Sequence, residues 1–257
     1  MGQKDKPSSS TIEPVADPAF EEALAEYTSL LVEEQSKEYL PGLEPFSVQA
    51  NKIRDHIGNA MRTFHNCYAK GYALILKELK TLAPEIDLLS VEPSDEAREI
   101  LDNPIALANY LSEGNALYKL LGFSKEILTK IYIAAYHLME NKKFTDAKNA
   151  FFFLTTIAPT LSPSWLALGY SYGRLCEYEK AIEACRQAIT LNPEDPEAYL
   201  TLSHLYTQIK NFEEALQILD QGLLLATENR GKDWAETLGS LLEEAKIHLS
   251  LPQNPKK

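Results

Sequence analysis

Apolar residues recur along most of the chain at intervals of three to five positions, the pattern of helices with one apolar face. From Pro18, one such face holds Phe20, Leu24 and Tyr27. A longer periodic stretch follows from about residue 47 to residue 82. No strand-like alternation of apolar and polar residues persists anywhere. The pattern therefore predicts an all-α protein.

Proline, glycine and capping residues divide these helical stretches. Residues 39–46 contain two prolines and a glycine, which predicts a break. Residues 83–96 resemble a linker, and Ser94 predicts the N-cap of a helix over 95–101. Asn103 and Pro104 then predict the start of another short helix.

After Ser124 the same residue types return every 34 positions, the length of a tetratricopeptide repeat. The middle copy matches that pattern at Trp165, Leu168, Gly169, Tyr172, Ala181, Ala188 and Pro193. Its exception is Cys185, where the pattern prefers a large aromatic residue. The following copy has Tyr199, Leu202, Ser203, Tyr206, Ala215, Leu219 and Gly222. The preceding copy has Ile131, Ala134, Ala135, Leu138, Ala147, Phe151, Leu154 and Pro159. Three copies in one register predict a right-handed superhelix of three helix pairs with a concave groove.

The repeated residues have physical roles. Gly169 and its equivalents Ala135 and Ser203 are small enough to let the two helices of a repeat approach closely. Pro159 and Pro193 end the second helix, because proline disfavours helical geometry in the residue before it. The pairs Ser162-Pro163 and Asp195-Pro196 predict an N-cap followed by a proline in the first helical turn.

A capping helix is expected after the last repeat, because a terminal repeat needs a polar outer face. Residues 232–250 fit this role, with Trp234, Leu238 and Leu241 on the inner face. We therefore divide the chain into a disordered tail at 1–17, an N-terminal helical region at 18–120, a tetratricopeptide domain with its capping helix at 121–250, and a disordered tail at 251–257. The apolar stripe of residues 47–120 should pack on the repeats or form a homodimer contact.

Composition and charge exclude several classes of protein. The net charge of −12 argues against nucleic-acid binding and against docking on anionic lipid. No apolar run reaches the roughly 18 residues of a membrane span, and the polar N-terminus does not resemble a signal peptide. Lys6 stands where a myristoylation signal has Ser or Thr. Cys67, Cys176 and Cys185 are an odd and sparse set, expected to be free thiols. We expect a cytosolic protein.

No catalytic constellation is evident. The chain lacks a glycine-rich phosphate loop, a nucleophile motif and a metal-type spacing of Cys and His. Its histidines are scattered, at positions 56, 65, 137, 204 and 248. We therefore expect a non-enzymatic protein and predict no cofactor and no metal site.

A peptide-binding groove is the candidate site. In the repeat register, the first-helix residues not used for packing are Tyr132, Tyr136, Met139, Leu166, Tyr170, Gly173, Arg174, Leu200, His204 and Thr207. This floor is mainly aromatic and apolar, which favours an extended, partly apolar peptide. Tetratricopeptide domains that clamp a chaperone's C-terminal carboxylate use Lys, Arg and Asn, whereas this chain has Tyr132, Tyr136 and Ala167 at those places. The alternative is that the aromatic residues pack against a neighbouring segment of the same chain.

Residues 120–228 resemble the tetratricopeptide chaperones of type III secretion translocators. That family opens its first repeat with Tyr-x-x-Ala-Tyr, matched by Tyr132, Ala135 and Tyr136. A Lys-Phe turn follows at Lys143-Phe144, then Ala147 and Phe151 on the second helix. The second repeat matches at Leu168-Gly169 and at Tyr178, Ala181 and Ile182. The resemblance implies a cargo of membrane-inserting translocators, bound in the groove through a short extended segment.

These observations lead to one functional expectation and one alternative. We expect a cytosolic chaperone that covers an apolar segment of translocator-type secreted cargo. The alternative is a general tetratricopeptide scaffold or assembly factor that binds a folded protein. An extended peptide ligand favours the first, and a folded surface favours the second.

Overall fold

A computed structural model of the chain describes residues 18–36 and 46–229. Every regular element in these ranges is a helix, so the all-α prediction is confirmed. The helices are α1 (Pro18–Ser36), α2 (Phe46–Leu82), α3 (Asp95–Asp102), α4 (Pro104–Ser112), α5 (Leu117–Leu120), α6 (Lys125–Glu140), α7 (Phe144–Ile157), α8 (Ser162–Arg174), α9 (Tyr178–Leu191), α10 (Pro196–Gln208) and α11 (Phe212–Asn229). The predicted tails, most of the 39–46 break and the capping helix lie outside the described residues.

The chain divides into two compact units between Cys67 and Tyr68, within α2. In the first unit, α1 and the first part of α2 are joined by an ion pair between Glu21 and Arg62 at 2.9 Å. The rings of Phe20 and His65 stack beside it at 4.1 Å. Because Glu21 and Arg62 are both well exposed, we assign this pair a role in helix alignment and little stabilising energy.

In the second unit, α6 to α11 form the three antiparallel helix pairs that the 34-residue register predicts. α7 packs against α8, and α9 against α10, so the pairs follow one another as a stack. Neither α7 nor α9 runs through the prolines at 159 and 193, since the helices end at Ile157 and Leu191. Three repeats without insertions are therefore confirmed.

Close approach of the two helices in each pair is visible at the small residues. Ala135 and Ala147 are fully buried in the first repeat. In the second, a methyl group built on Gly169 would lie 2.5 Å from Cys185 Sγ and 3.1 Å from the carbonyl oxygen of Ala181. Cys185, in place of the expected aromatic residue, thus occupies the space that a side chain at position 169 would need.

The turns inside the three pairs share one backbone geometry. Lys142, Cys176 and Lys210 lie 34 residues apart, and each has a left-handed backbone with φ near +60°. The amide that follows each of them donates to a carbonyl five residues back, from Lys143 to Leu138 in the first turn. This is a Schellman ending, in which the left-handed position usually belongs to glycine.

Adjacent repeats are joined by a hydrogen bond that also recurs with the register. Trp165 Nε1 donates to the carbonyl oxygen of Pro159 at 2.7 Å, and the Tyr199 hydroxyl donates to that of Pro193 at 3.0 Å. Each bond runs from the first helix of a repeat to the end of the preceding one. The aromatic residue at this position therefore both fills space and sets the distance between repeats.

Helix caps agree with the sequence except at α8. Ser94 accepts from the Ala97 amide, and Asp195 accepts from the Glu197 amide. Ser162 is not a cap, because it lies inside α8 and its hydroxyl donates to the carbonyl oxygen of Ala188 on α9 at 3.0 Å. The predicted cap is therefore wrong, and Ser162 instead joins the two helices of its repeat.

The part of α2 beyond Cys67 packs on the first repeat. Ile75 and Leu79 are buried in one core with residues of α6 and α7. A methyl group at Gly71 would overlap the carbonyl oxygen of Asn149 on α7, so the two backbones meet there. Leu88 of the predicted linker is also buried in this core. The second unit thus begins well before the repeats; the boundary predicted at residue 120 stays a prediction.

Substitution of Gly169 by Ala should destabilise the chain by roughly 1–3 kcal/mol, because the added methyl group has no room beside Cys185. Gly173→Ala is the matched control on the same helix. Its methyl group would meet only the tip of the Leu205 side chain, which can move. Urea unfolding of both variants measures the difference. Equal stabilities would show that the α8–α9 contact can relax.

Substitution of Lys142 by Gly should raise the free energy of unfolding by up to about 1 kcal/mol. A left-handed backbone costs a residue with a side chain roughly 1–2 kcal/mol, and the extra freedom of unfolded glycine offsets part of the gain. Lys143→Gly is the control, since Lys143 has an ordinary φ of −83° and should only lose stability. The prediction fails if both glycines lower the unfolding midpoint.

Candidate functional site

The first helices of the three pairs lie side by side, with α6 in contact with α8 and α8 in contact with α10. Tyr136 and Tyr170 occupy the same register position on α6 and α8, and each exposes 40% of its surface. His204 is the next equivalent, on α10, and is also exposed. We name Tyr136, Tyr170 and His204 the exposed row.

Tyr132 supports the exposed row from below. Its ring stacks on Tyr136 with centroids 6.1 Å apart and meets the edge of buried Phe151 at 5.8 Å. Burial raises the pKa of the Tyr132 phenol above its ordinary value, and nearby Tyr136, Glu197 and Asp195 add to the rise. Tyr132 is thus partly a core residue, and it positions the more exposed ring of Tyr136.

The remaining predicted residues differ in their exposure. Leu166 is only 9% exposed and belongs to the core between the second and third repeats. Met139 is half-buried against the first core. Leu200 and Thr207 are half-buried, and the Thr207 hydroxyl donates to the carbonyl oxygen of Ser203. We therefore leave Leu166 out of the contact surface that we propose below.

Arg174 is held in place by two aromatic rings. Its Cζ lies 4.6 Å from the centroid of Phe144 and 5.9 Å from that of Tyr170. Arg174 Nη1 donates to the Tyr170 hydroxyl at 3.2 Å. Phe144 and Tyr170 also meet edge to face at 6.3 Å. We name Phe144, Tyr170 and Arg174 the Arg174 stack; it places a cation at the C-terminal end of α8.

A cavity of about 350 Å³ opens beside this stack, between the ends of α8 and α10. Four predicted groove residues line it, namely Tyr170, Gly173, Arg174 and His204. Five further residues complete its wall: Cys176, Tyr178, Thr201, Leu205 and Gln208. The cavity therefore brings together predicted residues from two adjacent repeats.

The opposite end of α10 is acidic. Asp195 caps the helix, and Glu197 lies in its first turn. Burial raises the pKa of the Glu197 carboxyl, and the charge of Asp195 adds to the effect. Glu197 and Gln208 are 11 residues apart, which corresponds to about 16 Å along a helix. The site is therefore negative at the N-terminal end of α10, on one side of the exposed row, while Arg174 provides a positive charge on the other side, at the C-terminal end of α8.

Two kinds of residue at this site were not predicted from the sequence. Gln208 occupies the register position of Arg174 one repeat later, so the repeat itself could have identified it. Phe144 and Tyr178 begin the second helices, again 34 residues apart. Phe144 and Tyr178 reach the site because the second helix of one repeat contacts the first helix of the next. The register alone does not show this contact.

The described ranges, 18–36 and 46–229, contain neither a metal-binding cluster nor a membrane-spanning helix. No group of His, Cys, Asp and Glu side chains there could hold a metal ion. Nor does any helix in those ranges have the length and apolar character needed to cross a bilayer.

Residues 177–233 match the family model described as tetratricopeptide repeat. The repeats are tetratricopeptide repeats. The match covers the second helix of the second repeat and the whole third repeat, and the common register extends the assignment back to α6. No curated protein sequence matches the chain significantly.

Solved structures are similar to this tetratricopeptide chain. A T3SS complex from Aeromonas hydrophila has a TM-score of 0.54 and 20% identity, over 57% of this chain and 99% of that chain. The type III secretion translocator chaperone SycD of Yersinia enterocolitica has a TM-score of 0.49 and 21% identity, over 51% of this chain and 98% of that chain. PcrH from Pseudomonas aeruginosa has a TM-score of 0.47 and 20% identity, over 49% of this chain and 96% of that chain. The first similarity supports the predicted fold.

Thiol labelling should distinguish the three cysteines. Burial raises the pKa of Cys185 to about 12, so at pH 8 it stays protonated and unreactive. Cys176 is exposed at the cavity and should react first with a thiol reagent, followed by half-buried Cys67. Cys185 should react only on unfolding. In the control, Cys176→Ser removes the fast phase; rapid labelling of Cys185 in the native chain would contradict its placement.

Proposed function

We propose that the chain is a cytosolic, non-enzymatic chaperone that binds an extended, partly apolar segment of a translocator-type secreted protein along the exposed row. The observation that carries the proposal is the pair Tyr136 and Tyr170. Two large aromatic residues, each 40% exposed, stand at equivalent positions on neighbouring helices. Rings at equivalent positions of a repeat offer regularly spaced contacts to an extended chain.

The geometry suits an extended peptide for energetic reasons. Tyrosine provides a large contact area with little loss of side-chain freedom, and a few such anchors supply most of the affinity of a peptide interface. Tyr132 and the Arg174 stack already hold the two rings, which lowers the entropy lost on binding. Covering apolar cargo residues here would keep them from aggregating or entering a membrane early.

The class of cargo is proposed from similarity in fold. The Aeromonas hydrophila structure is a T3SS complex, and other similar structures are named as translocator chaperones, one of them with a peptide of the translocator YopD. We propose that this chain binds cargo of the same kind. Co-expression with the hydrophobic translocators of its own organism should give soluble complexes, whereas the scaffold alternative predicts complexes with folded proteins only.

Tyr136→Ala and Tyr170→Ala should each weaken peptide binding about tenfold or more while the thermal melt stays near that of the wild type. Both rings lie outside the closely packed helix contacts, so their loss leaves the core intact. The probes are fluorescein-labelled dodecapeptides selected from a random phage library on the wild-type chain, with affinity measured by fluorescence anisotropy.

Tyr27→Ala is the matched control, because Tyr27 is 47% exposed on α1 and should leave both the affinity and the melt unchanged. If both groove variants unfold, the tyrosines are core residues and the proposal fails. If both stay folded and bind normally, the peptide uses another surface, and the scaffold function is the better account.

A further inference from the structure

We propose that the Arg174 stack and the adjoining cavity form a subsite for a carboxylate side chain, Asp or Glu, of the bound peptide. This inference rests on the proposed function and adds a chemical requirement for the ligand. An aromatic groove alone would select apolar residues at every position. The subsite would instead demand one acidic residue at a fixed place in the cargo segment.

Arg174 is an exposed cation whose charge no carboxylate of the described residues neutralises. The chain has 37 acidic and 25 basic residues, so carboxylates are abundant. Arg62, Arg98, Lys148 and Lys180 form ion pairs with carboxylates of the described residues, whereas Arg54 contacts Asn51 and Arg186 contacts the Tyr206 hydroxyl instead. Among the described residues, no carboxylate forms an ion pair with Arg174. Within the described ranges its guanidinium contacts the rings of Phe144 and Tyr170 and is otherwise exposed, so it can bind an anion.

The guanidinium of Arg174 is already oriented by its contacts with Phe144 and Tyr170. Phe144 lies against it at 4.6 Å, and the Tyr170 hydroxyl accepts from Nη1. A guanidinium has five N–H donors in a planar fork, and this bond uses one of them. The others remain for a ligand, in the fork geometry that matches a carboxylate. Because the rings restrict the long side chain, less entropy is lost when it binds.

The cavity wall supplies hydrogen-bond donors beside Arg174. On α10, the wall contains Thr201, His204 and Gln208, whose side chains can donate hydrogen bonds. Nε2 of Gln208 lies 3.3 Å from Nε2 of His204. If the amide donates, the imidazole carries its own proton on Nδ1. The wall thus offers polar donors around a single fixed cation, which suits one negative charge.

The charge pattern favours a carboxylate over a phosphate and indicates on which side of the exposed row the acidic side chain lies. A phosphate dianion would have two negative charges facing one cation, in a chain whose net charge is −12. A carboxylate has a single negative charge, which matches that of Arg174. At the other end of α10, Asp195 and Glu197 would repel an acidic residue. An acidic side chain of a peptide that lies along the exposed row should therefore point toward Arg174 and away from Asp195.

The test is a double-mutant cycle with the full chain. The probes are the library-selected dodecapeptides and copies in which each acidic residue is replaced by its amide. The protein variants are Arg174→Gln and Arg174→Lys, with Lys130→Gln as the control. Lys130 is exposed on α6 and is not part of the cavity, so it removes the same charge elsewhere. Affinities are measured by fluorescence anisotropy, and melts verify folding.

We expect one acid-to-amide replacement to weaken binding to the wild type about tenfold or more. The same replacement should change the affinity less than twofold in Arg174→Gln, while Lys130→Gln should retain the full loss. Arg174→Lys should show a partial loss, since it keeps the charge without the planar fork.

Failure of this inference differs from failure of the proposed function. The carboxylate subsite alone is overturned if binding depends on Tyr136 but the acid-to-amide replacement weakens it equally in the wild type and in Arg174→Gln. It is also overturned if the selected peptides contain no acidic residue. Phosphopeptides that bind through Arg174 more tightly than their Glu counterparts overturn the choice of anion. If no peptide is selected, or if Tyr136→Ala leaves the peptide affinity unchanged, both proposals are wrong.

Discussion

The close approach of the two helices in each repeat is the constraint on which the rest of the second unit depends. It requires a small residue on the first helix, at Ala135, Gly169 and Ser203, and alanine on the second. All are buried, and at Gly169 even a methyl group has no room. Because the contact recurs every 34 residues, the three first helices come to lie side by side with equivalent faces. The exposed row is a consequence of that arrangement.

The same periodicity gives each repeat its own surface chemistry without changing its packing. Tyr136, Tyr170 and His204 share one exposed position, while Glu140, Arg174 and Gln208 share another. Residues there are free to differ because they contribute little to the core. In this chain the first position changes from tyrosine to histidine along the stack, and the second holds an acidic, a basic and then an amide side chain, so the groove has an aromatic part and a charged and polar part. Such a surface can recognise both the shape and the charge of an extended segment.

The residues before the repeats are part of the same folded unit from Tyr68 onward. The end of a stack of helix pairs has an apolar face that needs covering. Here α2 supplies that cover through Ile75 and Leu79, with Tyr68 and Tyr72 packed on Phe153. A hydrogen bond of 2.8 Å between half-buried His137 and buried Glu78 joins the same elements. The groove thus lies on a stack whose first repeat already has a packing partner.

The sequence by itself determined the helices and the three repeats, because a 34-residue register specifies which side chains face inward. It could not show that Leu166 is buried, that Ser162 bonds across to α9, or that Phe144 meets Arg174. These depend on how one repeat lies against the next, and that distance is set by side chains far apart in sequence. Only the tertiary structure decided which of the candidate groove residues are accessible, since accessibility is a property of the neighbours and not of the residue. It also decided that Arg174 lies against the rings of Phe144 and Tyr170 without a carboxylate partner among the described residues, since such contacts depend on how neighbouring helices pack.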